Sequence, residues 1–298
     1  YQFCNLTEVV VRHDDTKEVL LRKVRLASIL GTLQATFTKF PYLRKVWQRN
    51  TEEERLLGVS MTGNLENPLL NSAYDLDLPK RLEELKNVAI DTNARFADDL
   101  GIPVSAAITC VKPEGTVSQL TGTASGIHPQ HSQYYIRRVR SDNKDPLTQF
   151  LKDSGFPWEP CVMKPDSTTV FSFPMAVSPT AVFRDDLTAI EHLDLWLAYQ
   201  RHWCEHKPSV TISVKDEEWP TVGAWVWEHF DEMSGVSFLP HDGGTYRQAP
   251  YETVSKDQYE DLLNKMPKSI DWDNLIEIED NVEGTQTLAC SAAGGCEI

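Results

Sequence analysis

No stretch of 18 apolar residues occurs anywhere in the 298-residue chain, and no charged, apolar and small-residue leader opens it. Nothing in the sequence therefore predicts a membrane span or a signal peptide. Cysteine is scarce, with six residues at positions 4, 110, 161, 204, 290 and 296. That is too sparse for a small secreted disulfide scaffold. Positive charge is in deficit too: 29 Lys and Arg against 44 Asp and Glu leave a net charge of −15. Such a balance argues against a broad nucleic-acid surface or an anionic membrane partner, although a local nucleotide pocket stays compatible with it. An internal repeat and an initiator methionine are also missing, and the chain opens abruptly before a strand-like run. A piece of something longer is the expectation. With 41% hydrophobic and 24% charged residues, the composition is that of an ordinary globular protein in a reducing cytoplasm.

Strand and helix patterns alternate. Leu6 to Arg12 is β-branched and predicts a strand, after which Asp15-Thr16 caps a helical pattern. Leu20, Val24, Ala27, Leu30, Leu33 and Phe37 are spaced for one apolar face of that helix. A short apolar run spans Leu56 to Met61. Pro79 starts a second helix that runs to about Leu100, with Gly101 as its C-cap. Strands are expected over 104–111, 134–140, 168–173, 209–214 and 235–239, and helices near 145–154, 186–206 and 217–230. This order favours βαβ units and a largely parallel sheet. From about Lys268 the chain turns acidic and irregular, and a mobile arm is expected there.

Two segments stand out chemically. The chain ends in Cys290-Ser-Ala-Ala-Gly-Gly-Cys296-Glu-Ile, two thiols on a small-residue tether. Such a pair suits thiol–disulfide exchange between sites; an incidental pair or a small metal clip are the alternatives. The second segment follows the 104–111 strand: Pro113, Glu114, Gly115, Thr116, Val117 and Ser118 form a turn into a new element. Backbone N–H groups and hydroxyls there make an anion site, or else a capped turn that binds nothing. It is not a Walker loop, since the Gly-Lys-Ser/Thr ending is absent. His202, Cys204 and His206 have zinc-like spacing without the expected glutamate, and a polar helix end explains them better. Tyr134 to Arg140 fits a half-buried strand, and the tryptophans from Trp219 to Trp227 fit packing.

Together these segments resemble the C-terminal half of a ribonucleotide reductase large chain, most closely the adenosylcobalamin-dependent (class II) ribonucleoside-triphosphate reductases. The resemblance rests on Gln2-Phe-Cys-Asn-Leu-Thr-Glu8, Lys112-Pro-Glu-Gly-Thr-Val-Ser-Gln119, Gly126-Ile-His-Pro129 with Tyr134-Tyr-Ile-Arg-Arg138, and Pro208-Ser-Val-Thr211. Ser237-Phe-Leu-Pro240 through Asp242-Gly-Gly-Thr-Tyr-Arg-Gln-Ala-Pro-Tyr251 and the terminal cysteine pair complete it. It implies the second five-stranded half of a ten-stranded α/β barrel over 1–267, with a flexible tail over 268–298. It makes Cys4 one of two cysteines that reduce the ribose, residues 113–118 the substrate-phosphate loop, and Cys290 and Cys296 the pair that re-reduces the active site. The implied cofactor is adenosylcobalamin. The implied partners are a ribonucleoside triphosphate, an N-terminal half carrying the radical cysteine, and thioredoxin or a similar reductant. The implied setting is a bacterial cytoplasm, or that of a phage host. The family's Asn-Pro-Cys-x-Glu radical loop should lie about eleven residues before Cys4 and is not in this sequence. The alternatives are a class I large-subunit fragment, disfavoured because Tyr134-Tyr135 lies far from the tail, and a noncatalytic assembly half.

Overall fold

The computed structural model describes residues 1–178, 180–241 and 246–276. Sixteen principal elements follow one another among them. The first half runs β1 (Asn5–Val10), α1 (Lys17–Gln34), α2 (Lys45–Glu54), β2 (Leu57–Thr62), α3 (Leu78–Leu100), α4 (Val117–Thr121), β3 (Tyr134–Asp142) and α5 (Pro146–Asp153). The second runs β4 (Trp158–Pro160), β5 (Thr168–Ala176), α6 (Ala189–His202), β6 (Val210–Val214), α7 (Trp219–Glu228), β7 (Val236–Pro240), β8 (Tyr251–Thr253) and α8 (Lys256–Leu263). They divide into two compact units: Tyr1–Gln130 with Thr180–His241, and the described residues within His131–Pro179 and Asp242–Ile298.

The first unit is parallel. β1 pairs with β2 from Asn5↔Leu57 to Val10↔Thr62, and β6 pairs with β7 from Val210↔Val236 to Val214↔Pro240. The strand expected at 104–111 joins these pairs through isolated parallel bridges, Val59↔Thr109 and Val111↔Pro208. Pro208 has no N–H, so this last ladder cannot be continuous; Val111 N–H donates to Lys207 O and Ser209 N–H to Val111 O on either side of it. Five parallel segments thus succeed one another: β1, β2, 107–111, β6 and β7.

Helices cover one face of this layer. Thr16 caps α1 by accepting the Val19 N–H, and Leu20, Val24 and Ala27 are buried as their spacing predicts. Leu30, Leu33 and Phe37 are not: they are 61%, 43% and 76% exposed. The buried stripe continues through Ser28, Gly31 and Thr32, and the helix ends at Gln34, before Phe37. A Cβ on Gly31 would meet Leu57 Cδ2 at 3.0 Å, so a bare backbone is what lets α1 approach β2 there. Pro79 lies in the first turn of α3, and Gly101 closes it at φ 65°. Asn93 of α3 donates to Thr32 Oγ1 and Ser105 Oγ, both at 2.9 Å. The core gathers Trp196, Tyr199 and Trp203 around Leu57, Met61 and Leu70. Each of these aromatics spends its polar atom on a carbonyl: Trp196 Nε1 on Pro208 O, Tyr199 OH on Leu70 O, Trp203 Nε1 on Cys110 O.

The second unit corrects the expectation of a largely parallel sheet. Its four strands are ordered β4-β5-β3-β8 and every pairing is antiparallel. β3 and β5 pair over nine residues, Tyr134↔Ala176 to Asp142↔Thr168. β3, β4 and β5 follow one another through short links, with only the eight-residue α5 between β3 and β4, too little to return a parallel strand. β4 and β8 have three residues each, too short to show a period. Trp272, inside the expected arm, packs on Phe150 with ring centroids 5.3 Å apart. Residues 277–298, with Cys290 and Cys296, lie outside the described residues.

Candidate functional site

In β1 the residues alternate. Asn5 and Val9 are buried, while Cys4, Leu6, Glu8 and Val10 stand on the other face and are only partly covered. Gly58 of β2 is what lets that face close up. A Cβ there would come within 2.5 Å of Leu6 Cδ2, 2.9 Å of Cys4 Sγ and 3.5 Å of Cys110 Sγ. The two sulfurs therefore converge over one glycine. Two residues beyond Cys110, Lys112 donates its backbone N–H to Ser60 Oγ at 3.0 Å. Burial raises the Cys4 thiol above its ordinary range, and the Lys112 ammonium partly offsets this. Cys110 is pushed up to about 12, chiefly by burial, with Lys112 opposing and with Cys4, Glu8 and Glu114 adding to the rise. Both thiols are thus protonated at neutral pH.

Glu8 is the least expected member. Both its carboxyl oxygens are shielded from water with no ordinary donor at hydrogen-bonding geometry. Its neighbour is the Glu114 carboxyl, and two carboxyls can hydrogen-bond only if one carries a proton, which reconciles that shielding with the contact between them. Burial first, then the hydrogen bond and charge of Glu114, push Glu8 up to about 10, while the Ser60 hydroxyl favours the ionised form.

Residues 113–118 form the loop leading into α4. Pro113, Gly115 and Thr116 are exposed, Glu114 and Val117 half-buried, and Ser118 buried. Glu114 adopts φ 50°, in the left-handed region. Ser118 already donates its N–H to Glu114 O at 3.0 Å, while its hydroxyl is buried with no partner among the described residues. Open space surrounds Gly115. The loop's exit is braced by His128, whose Nδ1 lies 2.7 Å from Ser125 O and whose Nε2 accepts the Thr211 N–H at 2.9 Å. That pattern puts the proton on Nδ1 and ties the exit to β6. Below it, His192 Nε2 meets Ile127 O at 2.8 Å. Burial lowers both histidines, His192 to about 4 with the neighbouring His128 contributing.

The zinc-like trio spreads over separate partners. His202 Nδ1 lies 2.7 Å from Glu83 Oε1, His206 Nε2 lies 2.7 Å from Leu57 O, and Cys204 is buried. Of the tryptophans, Trp225 packs in the core and Trp227 is exposed. Among the described residues no helix is long and apolar enough to cross a membrane. The structure thus brings Cys4 and 113–118 into one neighbourhood and adds Gly58, Ser60, Cys110, Lys112 and Glu8. Only Glu8 had a signal of its own, an acid inside a β-branched strand.

The fold has a counterpart among solved structures. The chain superposes on the crystal structure of a B12-dependent (class II) ribonucleotide reductase with a TM-score of 0.76. The match covers 90% of this chain and 41% of that one at 24% identity. No family model matches. Among curated relatives, the adenosylcobalamin-dependent ribonucleoside-triphosphate reductase of Euglena gracilis is 30% identical over 294 residues, 97% of this chain and 39% of that protein. The enzyme of the same name from Lactobacillus gasseri is 26% identical over 99% of this chain and 43% of its own length. The resemblance seen in the motifs therefore holds across almost the whole sequence. The chain spans about two fifths of the length of the curated relatives it matches. Since these include a eukaryote and a bacterium, likeness alone does not assign a bacterial host.

Proposed function

We propose that the chain is the part of an adenosylcobalamin-dependent ribonucleoside-triphosphate reductase that carries one reducing cysteine and the substrate-phosphate loop. The observation that carries this reading is the convergence of Cys4 and the 113–118 loop beside one open sheet face. Five successive parallel segments support assigning 1–267 to the second half of a ten-stranded barrel, with 268–298 as the tail bearing Cys290 and Cys296. The names of the relatives favour this over a class I fragment or a noncatalytic half.

In this reading Cys4 hands a proton and an electron to the ribose, and a second cysteine from the remainder of the enzyme supplies the other pair, the two sulfurs being left as a disulfide. A protonated thiol suits that task, because a proton must leave with the electron. Phosphate oxygens are met by the N–H groups of Gly115, Thr116 and Val117 and by the hydroxyls of Thr116 and Ser118. The buried, unpartnered Ser118 hydroxyl is a donor in need of an acceptor. Adenosylcobalamin supplies the radical when bound, and none of the described residues is assigned to it. Cys290 and Cys296 pass electrons from thioredoxin or a similar reductant to the disulfide that each turnover leaves.

The test is reconstitution. Deoxynucleotide formation is measured for this chain, for a separately made N-terminal half bearing the radical cysteine, and for the mixture, with adenosylcobalamin and a dithiol. Turnover is expected only in the mixture, and turnover by this chain alone would overturn the division of roles. Thr116→Ala with Ser118→Ala should weaken substrate binding by about 1–3 kcal/mol, the scale of hydrogen bonds to charged groups. Unchanged affinity in that double variant would remove the phosphate assignment.

A further inference from the structure

A carboxylate inside a loop that receives phosphate is an electrostatic contradiction, because it repels the anion the loop is meant to hold. Glu114 sits in the middle of that loop. The structure eases that repulsion by giving the Glu114 carboxyl a partner, Glu8 of β1, a residue that sequence analysis gave no role. We propose that Glu8 is a positioning residue: it keeps its proton, donates a hydrogen bond to the Glu114 carboxyl, and so draws that group against β1 and away from substrate phosphate. The proposal deepens the phosphate-loop reading and rests on it.

Three observations support it. Both Glu8 oxygens are shielded from water, so a bare carboxylate there would have only the Ser60 hydroxyl to stabilise it. Glu114 holds φ 50°, a conformation that costs a side-chain-bearing residue free energy and persists only where its surroundings enforce it. Ser60 stands beside Glu8 and accepts the Lys112 N–H, which leaves its own hydroxyl proton to point at the pair. The cations nearby have other partners. Lys23 of α1, which borders the same cleft as Glu8 and Arg12, already holds Asp15 Oδ2 at 2.5 Å and Val10 O at 2.8 Å. Arg12 spends Nη1 on Thr121 O at 2.7 Å. Lys112 faces the thiols of Cys4 and Cys110. Burial is the largest cause of the rise in Glu8's proton affinity, so the proton stays on Glu8 through neutral pH and leaves only as pH approaches about 10.

Two measurements on the full 298-residue chain test this. Infrared difference spectra at pH 8 should show the carbonyl stretch of a protonated carboxylic acid in the native chain. It should vanish in Glu8→Gln, which removes the protonated acid, and should shift to higher frequency in Glu114→Gln, where burial keeps the acid protonated but the acid loses its carboxyl acceptor. A band that keeps its frequency in Glu114→Gln would show that Glu8 is merely buried and protonated, and would overturn the pairing. The second measurement is calorimetric binding of inorganic tripolyphosphate. Glu8→Ala should bind about tenfold more weakly, the scale of one charge-assisted hydrogen bond, while Glu8→Gln should restore affinity to within about twofold. Circular dichroism confirms that each variant is folded, and Glu8→Gln keeps the test intact if Glu8→Ala is not. Native-like binding by Glu8→Ala would overturn the positioning role. If the native chain shows the band but binds no tripolyphosphate, the phosphate-loop reading falls and the clearing role with it, whereas the carboxyl pair stands.

Discussion

The two units use similar strand sequences to opposite ends. In the parallel unit, tryptophans and aliphatic side chains pack under one face of a five-segment layer, and the other face is left for Cys4, Glu8, Ser60 and Cys110. In the antiparallel unit the buried residues are few, chiefly Tyr135, Phe156, Val170 and Phe171. Its polar side chains are spent on holding the sheet together. Arg137 lies over the Tyr251 ring at 5.0 Å, Arg138 pairs with Glu252, and Arg140 Nη2 donates to Gln248 O at 2.9 Å. The difference shows that reactive groups collect where a parallel layer is covered deeply enough to enclose Ser60 and Cys110, which are 1% and 0% exposed.

The comparison is broken most completely at Cys4. In the assembled, prereduced enzyme, Cys4→Ser should abolish even the first product, since one of the two reducing thiols is gone. Cys290→Ser or Cys296→Ser should leave the first product intact and stop thioredoxin-driven turnover, with a small diffusible dithiol restoring part of it. Rapid-quench product counting decides this. First-turnover loss in the tail variants equal to that of Cys4→Ser would place the tail in the chemical step.

Next in size is the core. Trp196→Ala removes a fully buried ring and strands Pro208 O, and should cost about 3–5 kcal/mol in urea unfolding. Gly58→Ala should cost about 1–3 kcal/mol, the usual toll of overpacking, because the added methyl meets Leu6 and Cys4. Its signature is a change in the alkylation rate of Cys4 larger than that of any other thiol. An unchanged rate would mean that the neighbours absorb the methyl without moving the sulfur.

The pH profile should carry two opposed slopes, both from the parallel unit. His192, held near 4 when folded, binds its proton more tightly unfolded; its contribution is complete above about pH 6.5 and falls as pH drops toward 4. Glu8 behaves oppositely: its contribution is complete below the ordinary glutamate range and is lost as pH rises toward about 10. Urea midpoints across pH should lose the acid slope in His192→Gln and the alkaline slope in Glu8→Gln. The smallest effect belongs to the antiparallel unit, where Arg137→Ala should cost about 1 kcal/mol, the worth of a half-buried cation over the Tyr251 ring.

Much of the fold was legible locally. The caps at Thr16 and Gly101, the apolar spacing of Leu20, Val24 and Ala27, and Pro79 in a first turn are short-range signals, and short-range physics sets them. Cys4 and the 113–118 loop were legible through resemblance. Leu30 and Leu33 were misjudged because helical spacing reports which residues share a stripe, not how wide a stripe the neighbours cover. Strand direction in the second unit was missed for a related reason: alternation fixes which side chains share a face but not whether the next strand runs parallel.

By itself, then, the sequence determined α1, α3, α5, α6 and α7, the caps at Thr16 and Gly101, the periods of the longer strands and the loop of small and hydroxyl residues after Val111. The helices α2 and α8 and the three-residue strands β4 and β8 gave no such signal. Only the tertiary structure decided that Glu8 meets Glu114, that Cys4 and Cys110 converge over Gly58, and that His128 joins Ser125 to Thr211. Apart from the local His128–Ser125 bond these contacts join distant segments, as with Thr211 to His128, 83 residues apart, and Glu8 to Glu114. Local propensity carries no information over such separations. The contacts exist because parallel strands stacked on a buried helical layer bring distant segments to the same level of one sheet face, where burial then sets which groups keep their protons.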